Sequence, residues 1–151
     1  MATETQSSAR QYALSLLARR AYGVGELTER LIQKEYPPES ADEAAAWLVS
    51  LDYLNDEAYA RDLAQAYADK GYGYYRIRGV LLERQLPAEL SEKVLEELPP
   101  SGETLDGLIA RMAIGIELDD SKQRRQLAAA LSRRGFLWDD IAAALSRYYD
   151  E

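Results

Sequence analysis

Arginine and tyrosine side chains gather in one short stretch of this 151-residue chain, from Lys70 to Pro87. The stretch, KGYGYYRIRGVLLERQLP, places three tyrosines and three arginines beside the glycine pair Gly71 and Gly73. Arginine binds carboxylates and phosphates through paired hydrogen bonds, and tyrosine stacks on nucleobases or packs at helix junctions. The whole chain has a formal net charge of -8, so this cationic stretch is an exception within an acidic protein.

A second cationic stretch spans residues 121–138, which contain five lysine or arginine residues and no aspartate or glutamate. Because such side chains attract both carboxylates and phosphates, the two stretches favour an acidic protein or a nucleic-acid backbone as partner. Ordinary pairing of charges within the molecule is the alternative, with Asp69 or Glu83 as candidate partners of Arg76 and Arg78. The predicted partner-binding residues are Arg76, Arg78, Arg84, Lys122, Arg124, Arg125, Lys34, Arg134, Tyr74 and Tyr75.

The residue types that carry most enzyme chemistry are scarce in this chain. It has no cysteine and no histidine, which removes thiolate nucleophiles, the commonest general base and the usual zinc ligands. Adjacent acids occur at 119–120 and 139–140, but acids at helix starts typically act as caps or interact with the helix dipole. The glycines of the first stretch lack the Gly-Lys-Ser/Thr ending of a phosphate-binding loop. We therefore predict that the chain is not an enzyme and holds no metal and no cofactor.

The elements that position these side chains are predicted to be helices throughout. Apolar residues recur at helical spacing, no strand-like alternation is sustained, and glycines and prolines divide the pattern. Asn55 is a predicted helix cap because two acids follow it in the first turn, where the helix dipole favours them. The predicted helices cover residues 9–21, 25–36, 39–51, 56–70, 75–86, 88–98, 104–118, 121–134 and 138–149.

Shifting the chain by 50 residues brings its apolar positions into register. Four columns keep this offset, which indicates a repeated three-helix unit whose neighbours stack to bury their apolar faces. The columns are Leu27, Ile77 and Leu127; Leu31, Leu81 and Leu131; Tyr36, Leu86 and Phe136; and Leu48, Leu98 and Tyr148. A cation column shares the register near the end of each second helix and comprises Lys34, Arg84 and Arg134. A cation there also complements the helix dipole, so a structural role is the alternative to a binding role.

The repeat predicts an all-α fold of about three units and nine helices. We predict a disordered N-terminal segment and three successive three-helix repeats, at residues 1–8, 9–53, 54–99 and 100–151. The sequence contains no signal-peptide pattern and no window of about 18 apolar residues. We therefore expect a soluble, cytoplasmic protein without a membrane partner.

Four segments of the chain resemble, in this order, the motifs of the RecX family, bacterial modulators of the RecA recombinase. They are LARRAYGVGELTERLIQKEY (17–36), LVSLDYLNDEAYARDL (48–63), GYGYYRIRGVLLERQL (71–86) and KQRRQLAAALSRRGFLWDDIAAAL (122–145). LDYLNDE at 51–57 is similar to the family's turn between its first and second units. GYG at 71–73, followed by RIR at 76–78, is similar to its most characteristic run. RRGF with the following DDI, within 133–141, fits the end of the last unit.

This resemblance implies tandem three-helix repeats in an elongated, curved molecule. It also implies binding along or at the end of the RecA–single-stranded-DNA filament, with inhibition of its ATPase, strand-exchange and co-protease activities. The expected partners are the RecA filament and, through it, single-stranded DNA, and the chain is expected to be a monomer. Two other interpretations stay open: a direct binder of single-stranded nucleic acid, and a helical-repeat adaptor for another protein.

Overall fold

The computed structural model describes residues 3–115 and 119–150 of the chain. Every regular element within these two ranges is an α-helix, and no strand occurs in them, so the predicted all-α fold is confirmed. The nine helices of the described residues are α1 (Glu4–Leu17), α2 (Val24–Gln33), α3 (Pro38–Ser50), α4 (Asp56–Asp69), α5 (Tyr74–Glu83), α6 (Ala88–Glu97), α7 (Gly102–Ala113), α8 (Asp120–Arg133) and α9 (Trp138–Tyr149).

The first helix begins earlier than the sequence predicted. The Gln6 backbone N–H donates to the Thr3 hydroxyl, and the Thr3 backbone N–H donates to the Gln6 side-chain oxygen. This reciprocal capping box satisfies two backbone donors that a bare helix end would leave without partners. α1 therefore starts at Glu4 rather than at residue 9, and residues 4–8 are helical where disorder was predicted.

Short polar side chains cap two other helices. The Ala58 backbone N–H donates to the Asn55 side-chain oxygen at the start of α4, as the sequence predicted for this cap. The Lys122 backbone N–H donates to Asp119 at the start of α8, which accounts for the first of the paired acids as a cap. α7 ends at Ala113, and the predicted continuation of that helix to residue 118 reaches outside the described residues.

The 50-residue register predicted from the sequence recurs in the backbone. Helices α3, α6 and α9 begin at residues 38, 88 and 138. The chain turns into each of them through a residue with positive φ: 74° at Glu35, 59° at Gln85 and 94° at Gly135. This left-handed conformation commonly ends an α-helix, so the connection between second and third helix is the same three times.

The apolar columns of the sequence mostly lie in buried positions. All six residues of the first two columns are at most 3% exposed. The last member of the fourth column, Tyr148, lies near the end of α9 as the register predicts, but it is 46% exposed. Helix α9 buries Leu145 instead, and the residues at the same register, Ala45 and Leu95, are buried as well.

The described residues divide into two compact units. The first unit comprises the described residues of Met1–Asp62 and Leu81–Ser91, and the second comprises those of Leu63–Val80 and Glu92–Glu151. The finer division into repeats at 9–53, 54–99 and 100–151 stays a prediction.

Each unit contains a three-helix core. In the first unit α1 and α2 pack against α3, and its fully buried side chains include Leu27, Leu31 and Leu48. In the second unit α7 and α8 pack against α9, and its fully buried side chains include Ile109, Leu131 and Ile141. The second of these cores includes α8, the helix that carries Lys122, Arg124 and Arg125.

Candidate partner-binding site

The glycine-rich run before α5 forms a helix-to-helix junction in the second unit, which we call the second joint. The Gly73 backbone N–H donates to the Arg134 carbonyl at 2.9 Å, and the Tyr75 N–H donates to the Gly135 carbonyl at 2.8 Å. The start of α5 thereby contacts the end of α8. Donors that α5 cannot satisfy internally meet acceptors that α8 cannot satisfy internally, and the positive end of the α5 dipole meets the negative end of the α8 dipole.

Close backbone approach explains the glycines of the second joint. A Cβ atom on Gly135 would lie 2.3 Å from the backbone nitrogen of Arg76, and one on Gly73 would lie 2.6 Å from the backbone of Phe136. Gly135 also has a φ of 94°, which other residues rarely adopt. Gly73 of the characteristic run and Gly135 therefore have a structural role, because they allow the start of α5 to approach the end of α8 closely.

A related junction, the first joint, lies 50 residues earlier in the first unit. The start of α2 approaches the end of α5, where a Cβ atom on Gly25 would lie 3.0 Å from the Gln85 carbonyl oxygen. A side chain satisfies the helix start here, since the Val24 backbone N–H donates to an Asp56 carboxylate oxygen at 2.8 Å. The sequence offset thus predicts a repeated junction, whereas its chemistry differs between the two sites.

A buried polar cluster lies behind the first joint. Glu26 is 9% exposed and accepts hydrogen bonds from the Tyr59 hydroxyl at 3.1 Å and from the Arg20 guanidinium at 3.0 Å. Arg84 donates to the Tyr59 oxygen at 3.0 Å and is half-buried. Burial and the nearby Glu26 carboxylate raise the pKa of Tyr59 above its ordinary value. Arg84 thus has a specific intramolecular hydrogen bond, whereas the sequence offered only an interaction with the helix dipole as its structural role.

The other two members of the cation column also contact aromatic or backbone groups. The Lys34 ammonium lies 5.4 Å from the centre of the Tyr12 ring and remains exposed. Arg134 is half-buried, donates to the Gly71 carbonyl at 3.3 Å, and lies 5.8 Å from the Tyr72 ring centre. All three cations sit at the end of a second helix, where they complement the dipole. These contacts agree with the structural alternative, and the binding role of the column stays a prediction.

Two predicted binding residues on α5 share one carboxylate. The Arg78 Nε donates to one Glu92 oxygen at 3.0 Å, and the Tyr74 hydroxyl donates to the other at 3.0 Å. Both hydrogen bonds, that from Arg78 first, hold the pKa of Glu92 below its ordinary value. The Arg78 side chain is still 47% exposed. The sequence suggested Asp69 or Glu83 as the acidic partner of Arg78. The structure pairs Arg78 with Glu92 of α6 instead.

Two further predicted residues lie on the exposed side of α5. The Arg76 guanidinium is 5.5 Å from the Tyr72 ring centre, and the side chain is exposed. Tyr75 is 60% exposed, and its ring meets that of Tyr74 edge-on at 5.3 Å between centroids. A partner can therefore reach a cation and a tyrosine ring on this side of the helix.

The cations of α8 form a second exposed group. Arg124 pairs with Asp150 at 3.0 Å and lies 4.8 Å from the Tyr149 ring centre. Arg125 is exposed and donates to the Ser121 hydroxyl at 3.0 Å. Lys122 is exposed as well. Across residues 3–115 and 119–150, neither Lys122 nor Arg125 has a carboxylate within ion-pairing distance.

Three residues of this surface were missed by sequence reasoning. Glu92 and Asp150 neutralise predicted binding arginines, but each lies at least 14 residues from its partner and only the fold brings them together. Trp138 is 63% exposed at the start of α9. The residues at the same register, Pro38 and Ala88, are exposed too, but this exposure is a property of the fold that the sequence alignment does not give.

The carboxylates considered for catalysis have ordinary structural positions. Asp119 caps α8, and Asp139 and Asp140 lie in the first turn of α9, where Asp140 accepts a hydrogen bond from Ser101. Over the described parts of the chain, no group of three or more metal-binding side chains is assembled. Nor does any helix in those parts combine the length and apolar character needed to cross a bilayer.

Comparison with known proteins relates the chain to one family. Residues 9–48 match the family model described as RecX, first three-helix domain. A regulatory protein RecX of Trichlorobacter lovleyi is 36% identical over 85% of this chain and 88% of its own length. A regulatory protein RecX of Pseudomonas savastanoi is 35% identical over 95% of this chain and 93% of its own length.

Solved structures show the same fold at lower identity. The crystal structure of RecX from Lactobacillus salivarius superposes with a TM-score of 0.84 and 18% identity, covering 97% of both chains. A second crystal structure, of a regulatory protein RecX, has a TM-score of 0.75 and 17% identity, covering 93% of this chain and 71% of that one. The arrangement of helices is therefore shared, although few residues are.

Proposed function

Because the chain belongs to the RecX family, we propose that it is a negative regulator of the RecA recombinase. In this proposal it binds the RecA–single-stranded-DNA filament and inhibits ATP hydrolysis, strand exchange and co-protease activity. It acts as a cytoplasmic monomer, by binding in the filament groove or by capping a filament end. Regulation requires only binding, so the chain needs no catalytic residue and no cofactor.

One observation about the surface carries this proposal beyond the family name. The second unit presents exposed cations on two helices, Arg76 on α5 and both Lys122 and Arg125 on α8. These side chains remain accessible in a chain with an excess of acids. Acidic protein residues or exposed phosphates of a filament would complement them.

The mechanism follows from the repeated geometry of a filament. A rigid helical unit that contacts neighbouring filament subunits would restrict the motions that hydrolysis and strand exchange require. The second joint contributes rigidity, because its helices are connected through backbone hydrogen bonds rather than mobile side chains. Arg78 and Arg124 would join the contact after exchanging their own carboxylates for those of the partner, since such surface pairs are weak.

The experiment is DNA-dependent RecA ATPase measured with and without the chain. We expect the rate to fall as the chain is added and to recover as salt rises, because the contact is electrostatic. An unchanged ATPase would contradict the proposal and favour an adaptor for another protein. Tight binding of single-stranded oligonucleotides without RecA, with a steep salt dependence, would favour direct nucleic-acid recognition.

A further inference from the structure

A groove in the second unit runs between α8 and α9 and has no assigned role. Its volume is about 370 Å³, and its lining includes Arg124, Arg125, Ala128, Trp138, Leu145 and Asp150. Ala128 and Leu145 are buried, so the apolar floor is the edge of the core. We call this feature the α8–α9 groove.

Trp138 leaves an unusually large apolar surface in water beside this floor. Its side chain is 63% exposed, although a tryptophan ring gains more from burial than most side chains. Tryptophan and arginine are also the residues most often found at the energetic centre of protein interfaces. The α8–α9 groove combines both types at one accessible place.

A carboxylate already lies in the α8–α9 groove. Asp150 accepts from Arg124 at 3.0 Å and from the Ser146 hydroxyl at 2.8 Å. The chain's own acid therefore demonstrates that the groove geometry accommodates a carboxylate beside an apolar floor. Arg125 lines the same groove and bonds only to Ser121 within the described residues, so a second carboxylate could be received there.

We propose that the α8–α9 groove is a docking site for an acidic peptide segment. One carboxylate of the segment contacts Arg125, and an adjacent apolar side chain packs against Trp138 and the groove floor. A peptide can place its charge at the arginine and an uncharged side chain at the tryptophan. A nucleic-acid strand carries a charge on every nucleotide and would bring phosphates towards Asp139 and Asp140, which directly follow Trp138.

This proposal goes beyond RecA regulation, since docking of a free peptide requires no filament. The test uses the full-length chain with Trp47→Phe, which leaves Trp138 as its sole tryptophan. The probe is a short synthetic peptide with two glutamates flanking a phenylalanine. Two matched peptides replace either the glutamates with glutamine or the phenylalanine with alanine, and an oligothymidylate tests the other class of ligand.

The expected result is a saturable change in Trp138 fluorescence with the acidic phenylalanine peptide. Binding should weaken at least about fivefold for either matched peptide, because one lacks the carboxylates that contact Arg125 and the other lacks the ring that packs against Trp138. Absence of a saturable change, equal binding of the glutamine peptide, or preference for the oligothymidylate would each overturn the proposal.

A pair of charge variants locates the contact. Arg125→Ala should weaken the acidic peptide's binding roughly three- to tenfold, because a partly desolvated ion pair is lost. Arg133→Ala removes the same charge from the same helix, outside the groove lining, and should change binding little. Equal weakening by both variants would mean that general charge attracts the peptide, which would contradict a specific site.

A variant of the internal acid provides an independent readout. Asp150→Asn removes the carboxylate that occupies Arg124, so the acidic peptide should bind a few-fold more tightly.

Isothermal calorimetry with Trp138→Ala should show loss of peptide binding while circular dichroism remains that of the parent chain. Undiminished binding by this variant would remove the tryptophan from the proposed site.

Discussion

The two joints occupy the same register, yet they are held together by different chemistry. In the first joint, side chains close the helix start, with Asp56 as the acceptor and the cluster around Glu26 behind it. In the second joint, backbone groups of α5 and α8 bond directly. Glu26 is buried in the first joint, whereas Arg76, the residue at the same register in the second joint, is exposed. Repetition of a fold therefore does not imply repetition of a binding surface, and the second unit is the better candidate.

The largest expected effect is at the positive-φ residue of the second joint. Gly135→Ala should lower the free energy of unfolding by roughly 3–5 kcal/mol, because the left-handed conformation and the overlap with Arg76 both oppose a side chain. Gln85→Gly, at the same register in the first joint, should be neutral or stabilising by up to about 1 kcal/mol. Urea denaturation followed by circular dichroism measures both. Equal destabilisation by the two variants would remove the distinction between the joints.

A smaller difference is expected at the helix starts. Gly73→Ala should cost roughly 2–3 kcal/mol, because the Cβ atom would meet the Phe136 backbone, which cannot move aside easily. Gly23→Ala should cost about 1 kcal/mol or less, because the nearest atoms belong to the side chains of Asp56 and Leu86, at 3.0 and 3.3 Å. The same denaturation series compares them. A larger loss at position 23 would contradict the backbone-against-side-chain comparison.

The polar cluster of the first joint predicts a dependence on alkaline pH. Burial and Glu26 raise the pKa of Tyr59 above 10.0 in the folded state, so the unfolded chain loses this proton first. The stabilisation that protonated Tyr59 gives the folded state is present below about pH 10, and it is lost as pH rises through the raised pKa of this residue. The midpoint temperature of thermal unfolding should therefore fall more steeply above pH 10 for the parent chain than for Tyr59→Phe. Parallel pH profiles would show that this hydroxyl does not couple folding to pH.

The smallest effect concerns the carboxylate that occupies Arg78. Glu92→Gln should increase affinity for the RecA filament roughly two- to fivefold, because the exposed ion pair no longer competes with the partner. Asp106→Asn removes the same charge from a comparable exposed pair, with Arg147 at 2.9 Å, and serves as the control. Filament binding measured by fluorescence anisotropy should separate them. If both variants bind alike, the exchange of carboxylates at Arg78 is refuted.

Helix positions and their register could be predicted because apolar spacing, glycines and prolines act locally along the chain. The contact between Gly73 and Phe136 could not, since it depends on the approach of segments more than 60 residues apart. The same limit applies to Glu92, which lies beyond the range of neighbouring helix turns from Arg78. The early start of α1 was missed although the Thr3 and Gln6 pattern was local, because apolar periodicity begins only later in that helix.

The proposed regulation depends on contact between the RecA filament and the cations of the second unit. The most direct measurement is inhibition of DNA-dependent RecA ATPase by the double variant Arg76→Glu with Arg78→Glu. Its matched control is Arg19→Glu with Arg30→Glu, which changes the charge equally at exposed residues of the first unit. We predict that inhibition by the first variant weakens at least about fivefold, with helical content unchanged, while the control still inhibits. Full inhibition by the first variant, or equal loss in both, would show that Arg76 and Arg78 do not make this contact.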